Sequence, residues 1–102
     1  MQCGVYKNAG DSESCAPYLL DVQADMLNSL ETRIMVPLVR IGEFGRRAGR
    51  LHPMFTVCGE EFVMATHLLA AIRFIGLGRA VESLAAHRNE IIGALDVLLV
   101  GV

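Results

Sequence analysis

The side chains that could perform acid–base or metal chemistry lie far apart in this sequence. The histidines are His52, His67 and His87, and none lies at metal-ligand spacing from a cysteine or from another histidine. His87 and Glu90 are three residues apart, a spacing that on a helix forms a stabilising pair far more often than a proton relay. We therefore predict no enzymatic activity, no metal site and no cofactor.

One arrangement keeps a catalytic alternative open. Thr66 and His67 are adjacent, and Glu60 and Glu61 precede them, so a nucleophile, a base and an acid would share one region. Little positive charge surrounds these residues to hold a phosphate. No glycine-rich loop precedes a helix in the way that nucleotide binding requires. An RNA-cleaving enzyme is therefore the weaker alternative to a binding protein.

The cysteines and the start of the chain indicate an intracellular protein. Cys3, Cys15 and Cys58 are odd in number and show no CxxC spacing, so we predict buried free thiols rather than disulfides or a zinc site. Residues 1–7 lack a basic start followed by an apolar run, and no apolar segment approaches the roughly 20 residues that span a bilayer. The expected location is cytoplasmic.

Length and composition favour one domain with an apolar surface to share. The chain has 102 residues, so we expect a single domain over 1–102. Hydrophobic residues make up 53% and charged residues 20%, which suggests that a second subunit covers part of the surface; we expect a homodimer. The formal charge of −2 argues against direct binding to free DNA.

Turn residues and hydrophobic periodicity divide the chain into strands followed by one helix. Gly59 is expected to supply the turn of a hairpin, and Pro37 to lie at a sheet edge or a bulge. The predicted elements are strands at 2–7, 18–23 and 33–39, a turn-rich loop at 8–14, an arginine- and glycine-rich loop at 42–50, hairpin strands at 54–57 and 62–66, a segment at 68–72 that periodicity leaves as helix or strand, and a helix that begins after Gly78.

The terminal helix carries the most informative surface. Apolar residues from Val81 to Leu99 recur at three- and four-residue steps, while Asp96 marks the opposite, solvated face. Val100 falls one turn beyond Asp96 on that outward face, and Gly101 ends the helix. We interpret this end as a contact surface. The pattern predicts an α+β fold, a small antiparallel β-sheet or barrel with the C-terminal helix packed across one face.

A collinear set of residues over the whole chain resembles the CcdB family. The matching positions are Met1-Gln2, Val5-Tyr6, Asp21-Val22-Gln23, Asp25, Met35-Val36-Pro37-Leu38, Pro53, Gly59-Glu60-Glu61, Gly78, Val81, Leu84, Asn89 and Gly101. The resemblance implies an SH3-like barrel of the CcdB/MazF type and a homodimeric toxin of a toxin–antitoxin module. It further implies binding to the A subunit of DNA gyrase, trapping of the cleaved-DNA complex, and neutralisation by a cognate antitoxin.

The same resemblance assigns contact residues, although Met26 and Leu27 taken alone would be read as a corner of the core. The implied gyrase-binding positions are Met26, Leu27, Asp96, Leu99, Val100, Gly101 and Val102. The early loop, basic in the best-known member, carries Asp11 and Glu13 here, so an antitoxin of different charge is expected to meet Arg40, Arg46, Arg47 and Arg50 instead.

Two further departures from the family concern the helix end. The family typically has tryptophan where this chain has Val100, and asparagine where it has Asp96. Loss of an aromatic hot spot costs on the order of 2–4 kcal/mol of partner binding. The second hypothesis is therefore a non-toxic module that binds antitoxin and regulates its own operon.

Overall fold

The computed structural model describes residues 1–8, 16–73 and 77–101, and in these ranges an antiparallel sheet packs against a C-terminal helix. The strands are β1 (Gly4–Lys7), β2 (Tyr18–Asp21), β3 (Thr32–Arg40), β4 (Met54–Val57), β5 (Glu60–Met64), β6 (Ala70–Arg73) and β7 (Ala80–Ser83). The α-helices are α1 (Ile41–Phe44) and α2 (Arg88–Val100), and 3-10 turns occupy Asp25–Leu27, Gly49–Leu51, Thr66–Leu68 and Ala85–His87.

The long strand β3 organises the sheet. The strand order is β4-β5-β3-β2-β1-β7, and β6 also pairs with β3. The first half of β3, from Thr32 to Met35, pairs with β6, whereas Leu38 to Arg40 pair with β5. This exchange of partners curls the sheet into a half-barrel, so the predicted α+β class with a C-terminal helix is confirmed.

Pro37 lies inside the sheet, so its predicted place at an edge or bulge is wrong. It pairs in regular register with Leu19 of β2. On its other side its carbonyl oxygen accepts the N–H of Ala65, just past the end of β5. In an antiparallel strand, the N–H and C=O of one residue point to the same side. The missing N–H of Pro37 therefore falls on the side of Ala65, where β5 has ended and β6 has not begun.

The hairpin of β4 and β5 forms as predicted, but its second strand covers Glu60–Met64 rather than 62–66. Burial alternates along β4, with Phe55 and Val57 buried and Met54 and Thr56 exposed. Cys58 and Gly59 join the strands with φ values of 51° and 81°. A two-residue type I′ turn requires positive φ at both positions, which glycine adopts without strain.

The terminal helix begins later than predicted. Residues Ala80–Ser83 form β7, which pairs antiparallel with β1, and the helix starts only at Arg88. The apolar positions Val81 and Leu84 fit a helical stripe, but the free edge of β1 gave this segment a strand partner instead. Within α2, Ile91 and Ala94 are fully buried.

The remaining loop predictions have mixed outcomes. Residues 42–50 are not one loop, because α1 (Ile41–Phe44) and the turn Gly49–Leu51 lie at its two ends. The ambiguous segment 68–72 is largely the strand β6. The turn-rich loop predicted at 8–14 lies almost wholly outside the described residues. No helix in the described ranges has the length and apolar character needed to cross a bilayer.

The core lies between the concave face of the sheet and α2. Its members are buried apolar side chains from β1 to β5 and from the helix, together with Cys3, Val22 and Leu84 from the adjoining links. The buried cluster comprises Cys3, Val5, Leu20, Val22, Val36, Leu38, Phe55, Val57, Phe62, Met64, Leu84, Ile91 and Ala94.

Candidate functional site: an apolar helix end and an arginine segment

The C-terminal end of α2 presents apolar side chains to solvent. Leu99 is 74% exposed and Val100 is 70% exposed. Ile91 and Ala94, one to two turns earlier, have no exposed surface, so the helix leaves the core as it proceeds. Asp96 is also exposed, on the turn before Val100. The helix therefore ends in a small apolar surface bordered by a carboxylate.

Gly101 terminates α2 in a defined geometry. Its φ is 86°, the left-handed conformation that glycine adopts at helix ends. Its N–H donates to the carbonyl oxygens of Asp96 and Val97, each at 3.1 Å. The last turn is thereby closed by hydrogen bonds. Val102, the final predicted contact residue, lies outside the described residues.

Met26 and Leu27 lie in the 3-10 turn between β2 and β3, within residues 24–31, which we name the Met26 segment. Met26 is 87% exposed and Leu27 is 44% exposed, so the reading of these two as a corner of the core is wrong. Leu30, at 51%, adds to the exposed apolar surface of the same segment.

A buried arginine holds the Met26 segment. Arg33 is 1% exposed, and its Nε and Nη2 donate to the two carboxylate oxygens of Asp21 at 2.9 and 3.1 Å. Nη2 also donates to the carbonyl oxygen of Gln23 at 3.1 Å, and Nη1 donates to the side-chain oxygen of Asn28. One guanidinium thus joins Asp21 at the end of β2, Gln23 just before the segment, and Asn28 within it.

Gln23 provides the second anchor. Its side-chain NH2 donates to the carbonyl oxygen of Leu27 at 3.1 Å, and its Oε1 accepts the N–H of Ile34 at 3.0 Å. Gln23 is buried, and both hydrogen bonds are partly shielded from water.

Hydrogen bonds through Gln2 connect the Met26 segment to the beginning of α2 rather than to its exposed end. The N–H of Gln2 donates to Asp25 at 2.7 Å, and Arg88, the first residue of α2, donates to the Gln2 side chain at 3.1 Å. A helix of 13 residues spans about 18 Å. Within the described residues of one chain, no hydrogen bond joins Met26 to Val100.

Three predicted antitoxin contacts lie in residues 45–53, which we name the arginine segment. Arg46, Arg47 and Arg50 are exposed, and no described acidic side chain forms an ion pair with them. Arg40 is different, because it pairs with Glu60 at 3.2 Å and lines another cavity. The structure therefore separates Arg40 from the other predicted contacts.

A groove runs between the arginine segment and the first half of α2. Its volume is about 700 Å³, and it brings two guanidinium groups together with apolar surface and an asparagine amide. The Nη2 of Arg50 lies 3.6 Å from the position that a Cβ on Gly93 would take, so this arginine lies against the helix. The lining residues are Arg47, Gly49, Arg50, Pro53, Met54, Asn89, Glu90 and Gly93.

Sequence reasoning missed a pair of histidines, His52 in the arginine segment and His67 beside it. His52 is buried, its Nε2 lies 3.0 Å from Nδ1 of His67, and its ring packs edge-on against Phe44 with centroids 4.8 Å apart. The signal was present in the hairpin, because His52 lies seven residues before Gly59 and His67 eight residues after it. Antiparallel pairing therefore brings the two rings together.

Hydrogen bonds fix the neutral tautomer of His52. Its Nδ1 accepts the N–H of Ala48 at 2.8 Å, so the proton of the neutral ring is on Nε2 and points to His67. Burial lowers the pKa of His52 below its ordinary value of 6.5, and His67 and Arg47 lower that pKa further. The ring is thus held in its uncharged form.

The residues of the catalytic alternative are occupied by structural contacts. Thr66 is fully buried, and its hydroxyl donates to the carbonyl oxygen of Leu51 at 2.5 Å. Glu60 pairs with Arg40. His87 and Glu90 lie 3.2 Å apart at the start of α2, which is the stabilising pair that their spacing predicts.

The cysteines divide between core and surface. Cys3 is buried as predicted, and burial raises the pKa of its thiol. Cys58 is exposed at the hairpin turn, so the prediction of a buried thiol is wrong there. A hydrogen bond to Cys58 raises the pKa of the Tyr18 hydroxyl. Cys15 lies outside the described residues. Among the described residues, no three histidine, cysteine, aspartate or glutamate side chains lie together as a metal site would require.

These features define a class: a small α+β protein with an exposed apolar helix end and a cluster of arginines that form no ion pair with the described carboxylates. The chain belongs to the CcdB family, whose model, described as CcdB protein, matches residues 2–101. This is a family of toxins of toxin–antitoxin modules.

Proposed function

We propose that this chain is a toxin that binds the A subunit of DNA gyrase, traps the enzyme on cleaved DNA, and performs no chemistry of its own. The observation that carries the proposal is the exposed helix end, where Leu99 and Val100 project from a turn closed by Gly101. Exposed apolar side chains on a rigid element are the usual anchors of a protein interface.

A homodimer is part of this proposal. In one chain the Met26 segment is tied to the start of α2, about 18 Å from the exposed end by helix length. A two-fold axis would repeat both surfaces and place pairs of helix ends on a symmetric target. Such an assembly acts as a wedge, because its contacts are fixed before the target is met.

A supercoiling assay with purified gyrase tests the role of the helix end. We expect the full chain to inhibit supercoiling and to accumulate linear DNA bound to protein, and a chain without residues 100–102 to lose inhibition. Val100→Trp restores an aromatic anchor and is expected to strengthen inhibition at least tenfold, which corresponds to about 1.4 kcal/mol.

The matched control is Ala86→Trp, which adds the same ring at an exposed position before the other end of α2. This control is expected to leave inhibition unchanged. Full inhibition by the shortened chain would refute the proposed contact. Failure of both the full chain and Val100→Trp to inhibit gyrase would favour the non-toxic, antitoxin-binding module.

For the antitoxin, we propose that an acidic segment binds the groove beside the arginine segment. Arg46, Arg47 and Arg50 keep a local positive charge on a chain whose formal net charge is −2. The groove adds apolar surface from Pro53 and Met54, which suits a segment that mixes carboxylates with apolar side chains.

An octa-aspartate peptide is a suitable probe for this site. The triple variant Arg46→Gln, Arg47→Gln, Arg50→Gln is expected to bind the peptide at least fivefold more weakly than the unchanged protein. The control replaces exposed Arg73 and Arg79, together with Arg88, by glutamine, and so removes equal charge elsewhere. Equal loss in both variants would show non-specific attraction and refute the site.

A further inference from the structure

We propose that His52 is a positioning residue in the arginine segment, and that its ring holds Ala48 in place only while the imidazole is neutral. This inference rests on the proposed function only in assigning antitoxin binding to the segment. The contacts that carry it lie within the chain.

Each polar group of His52 contacts a different part of its surroundings. Nδ1 accepts the N–H of Ala48 at 2.8 Å, and the carbonyl oxygen of His52 accepts Nη1 of Arg47 at 2.7 Å. Both partners lie in the arginine segment. The Nε2–H points to Nδ1 of His67 in the neighbouring 3-10 turn, at 3.0 Å.

The N–H groups of Leu51 and His52 donate to the carbonyl oxygens of Ala48 and Gly49 and close the turn of the segment, and Arg50 lies against α2. Support from buried side chains is sparser among the described residues. The turn Gly49–Leu51 has no side-chain cap, and neither it nor α1 contributes a fully buried residue. Leu51 is held by the Thr66 hydroxyl, but that bond lies beyond the arginines. Among the described residues, His52 is therefore the buried polar side chain that bonds to the middle of the segment.

Protonation of His52 would remove this anchor. A proton on Nδ1 turns the acceptor into a donor that faces the N–H of Ala48, and both groups then repel. The new charge would also lie in a buried site beside Arg47, with His67 directly opposite.

The charged groups around the ring act in both directions. Arg47 and His67 contact His52 directly, and Arg46 and Glu43 line the cavity that contains both histidine rings. Glu43 is the acidic member and favours the protonated ring, whereas both arginines oppose it. His67 also opposes it, because it lowers the pKa of His52.

Amide hydrogen exchange tests the proposal on the protein alone. Between pH 7.5 and 5.0, the protection factor of the Ala48 amide is expected to fall at least tenfold more than that of Val22, whose N–H bonds to Ile34 in the sheet. Nitrogen chemical shifts of His52 should show an unprotonated Nδ1 at pH 7.5. A protonated Nδ1 at that pH, or parallel protection at both amides, overturns the proposal.

Variants separate positioning from a general loss of structure. His67→Ala removes a neighbour that lowers the pKa of His52, so Ala48 should lose protection at a higher pH than in the unchanged protein. His87→Ala, which removes an exposed histidine that pairs with Glu90 and packs against Phe55, should leave that midpoint unchanged. If the unchanged protein, His67→Ala and His87→Ala all lose Ala48 protection at the same pH, the role assigned to His52 is wrong.

The peptide probe distinguishes this proposal from the proposed antitoxin site. Lower pH adds positive charge to the protein, so general attraction to octa-aspartate would rise, whereas a loosened arginine segment would bind it at least threefold more weakly at pH 5.5 than at pH 7.5. Weaker binding together with loss of Ala48 protection supports both proposals. Stronger binding with the same loss of protection supports His52 and counts against the antitoxin site.

Discussion

The Met26 segment and the arginine segment are both exposed, and both are held from below by one buried basic residue, but the two anchors differ in chemistry. Arg33 binds the Met26 segment through a guanidinium paired with Asp21, while His52 binds the arginine segment through an uncharged ring. A guanidinium keeps its proton in proteins, whereas imidazole titrates near neutrality. The same design therefore gives one surface of fixed geometry and one whose geometry depends on pH.

The largest effect should come from removing the charged anchor. Arg33→Met leaves the buried Asp21 carboxylate with the Met1 ammonium at 3.0 Å and the N–H of Gln23 at 3.0 Å, and should cost about 3 kcal/mol of unfolding free energy. Urea unfolding followed by circular dichroism measures the loss. Arg73→Met, on the exposed side of β6, is the control and should change stability by less than about 0.5 kcal/mol. A cost for Arg33→Met as small as that of the control would show that the buried pair is not an anchor.

A second change breaks the Met26 segment without altering charge. Gln23→Leu deprives the Leu27 carbonyl and the Ile34 N–H of their partner, and because both groups are only partly buried we expect a loss of about 1 kcal/mol. Faster amide exchange at Ile34, with Ala48 unaffected, would locate the damage in the Met26 segment. Equal effects at both amides would mean that the two segments are not independent.

On the arginine side, Thr66→Val removes the hydroxyl that binds the Leu51 carbonyl while keeping the shape of the side chain. We expect a loss of about 1.5 kcal/mol in urea unfolding. Thr56→Val is matched to it, because Thr56 is exposed on β4, and it should be near neutral. Similar losses of unfolding free energy in the two variants would show that the hydrogen bond from Thr66 to Leu51 does not stabilise the protein.

The smallest effect is the pH dependence of stability. Because the pKa of His52 is lowered in the folded protein, the unfolded chain binds the proton more readily. The contribution of His52 is therefore full above pH 6.5, the ordinary value, and is lost as pH falls through the lowered folded pKa. The slope is at most about 1.4 kcal/mol per pH unit. His52→Gln should flatten the plot of unfolding free energy against pH between pH 7 and 5. An unchanged slope in this variant would show that another group causes the pH dependence.

Features that depend on local pattern were predictable from the sequence. Alternation along β4 and the glycine at position 59 sufficed for the hairpin, and the apolar run to Val100 followed by Gly101 gave the exposed helix end. In each case the signal and the structure lie within a few residues of one another. The family resemblance supplied the rest of the topology.

Features that depend on distant partners were not predictable. The beginning of α2 was misplaced because residues 80–83 fit a helical stripe until β1 supplies a strand partner. Arg33 is a charged residue that single-sequence rules place on the surface, and its bonds to Asp21, Gln23 and Asn28 allow burial. The contact between His52 and His67 required the hairpin register as well as its existence.

The hydrogen bonds of Gly101 bear on how tightly the helix end can bind. A terminus that must be ordered on contact loses about 1–2 kcal/mol of backbone entropy for each residue fixed. Here the final turn is already closed onto Asp96 and Val97 before any target arrives. Preorganisation of this kind lets a modest side chain such as Val100 yield more net affinity than the same residue on a frayed tail.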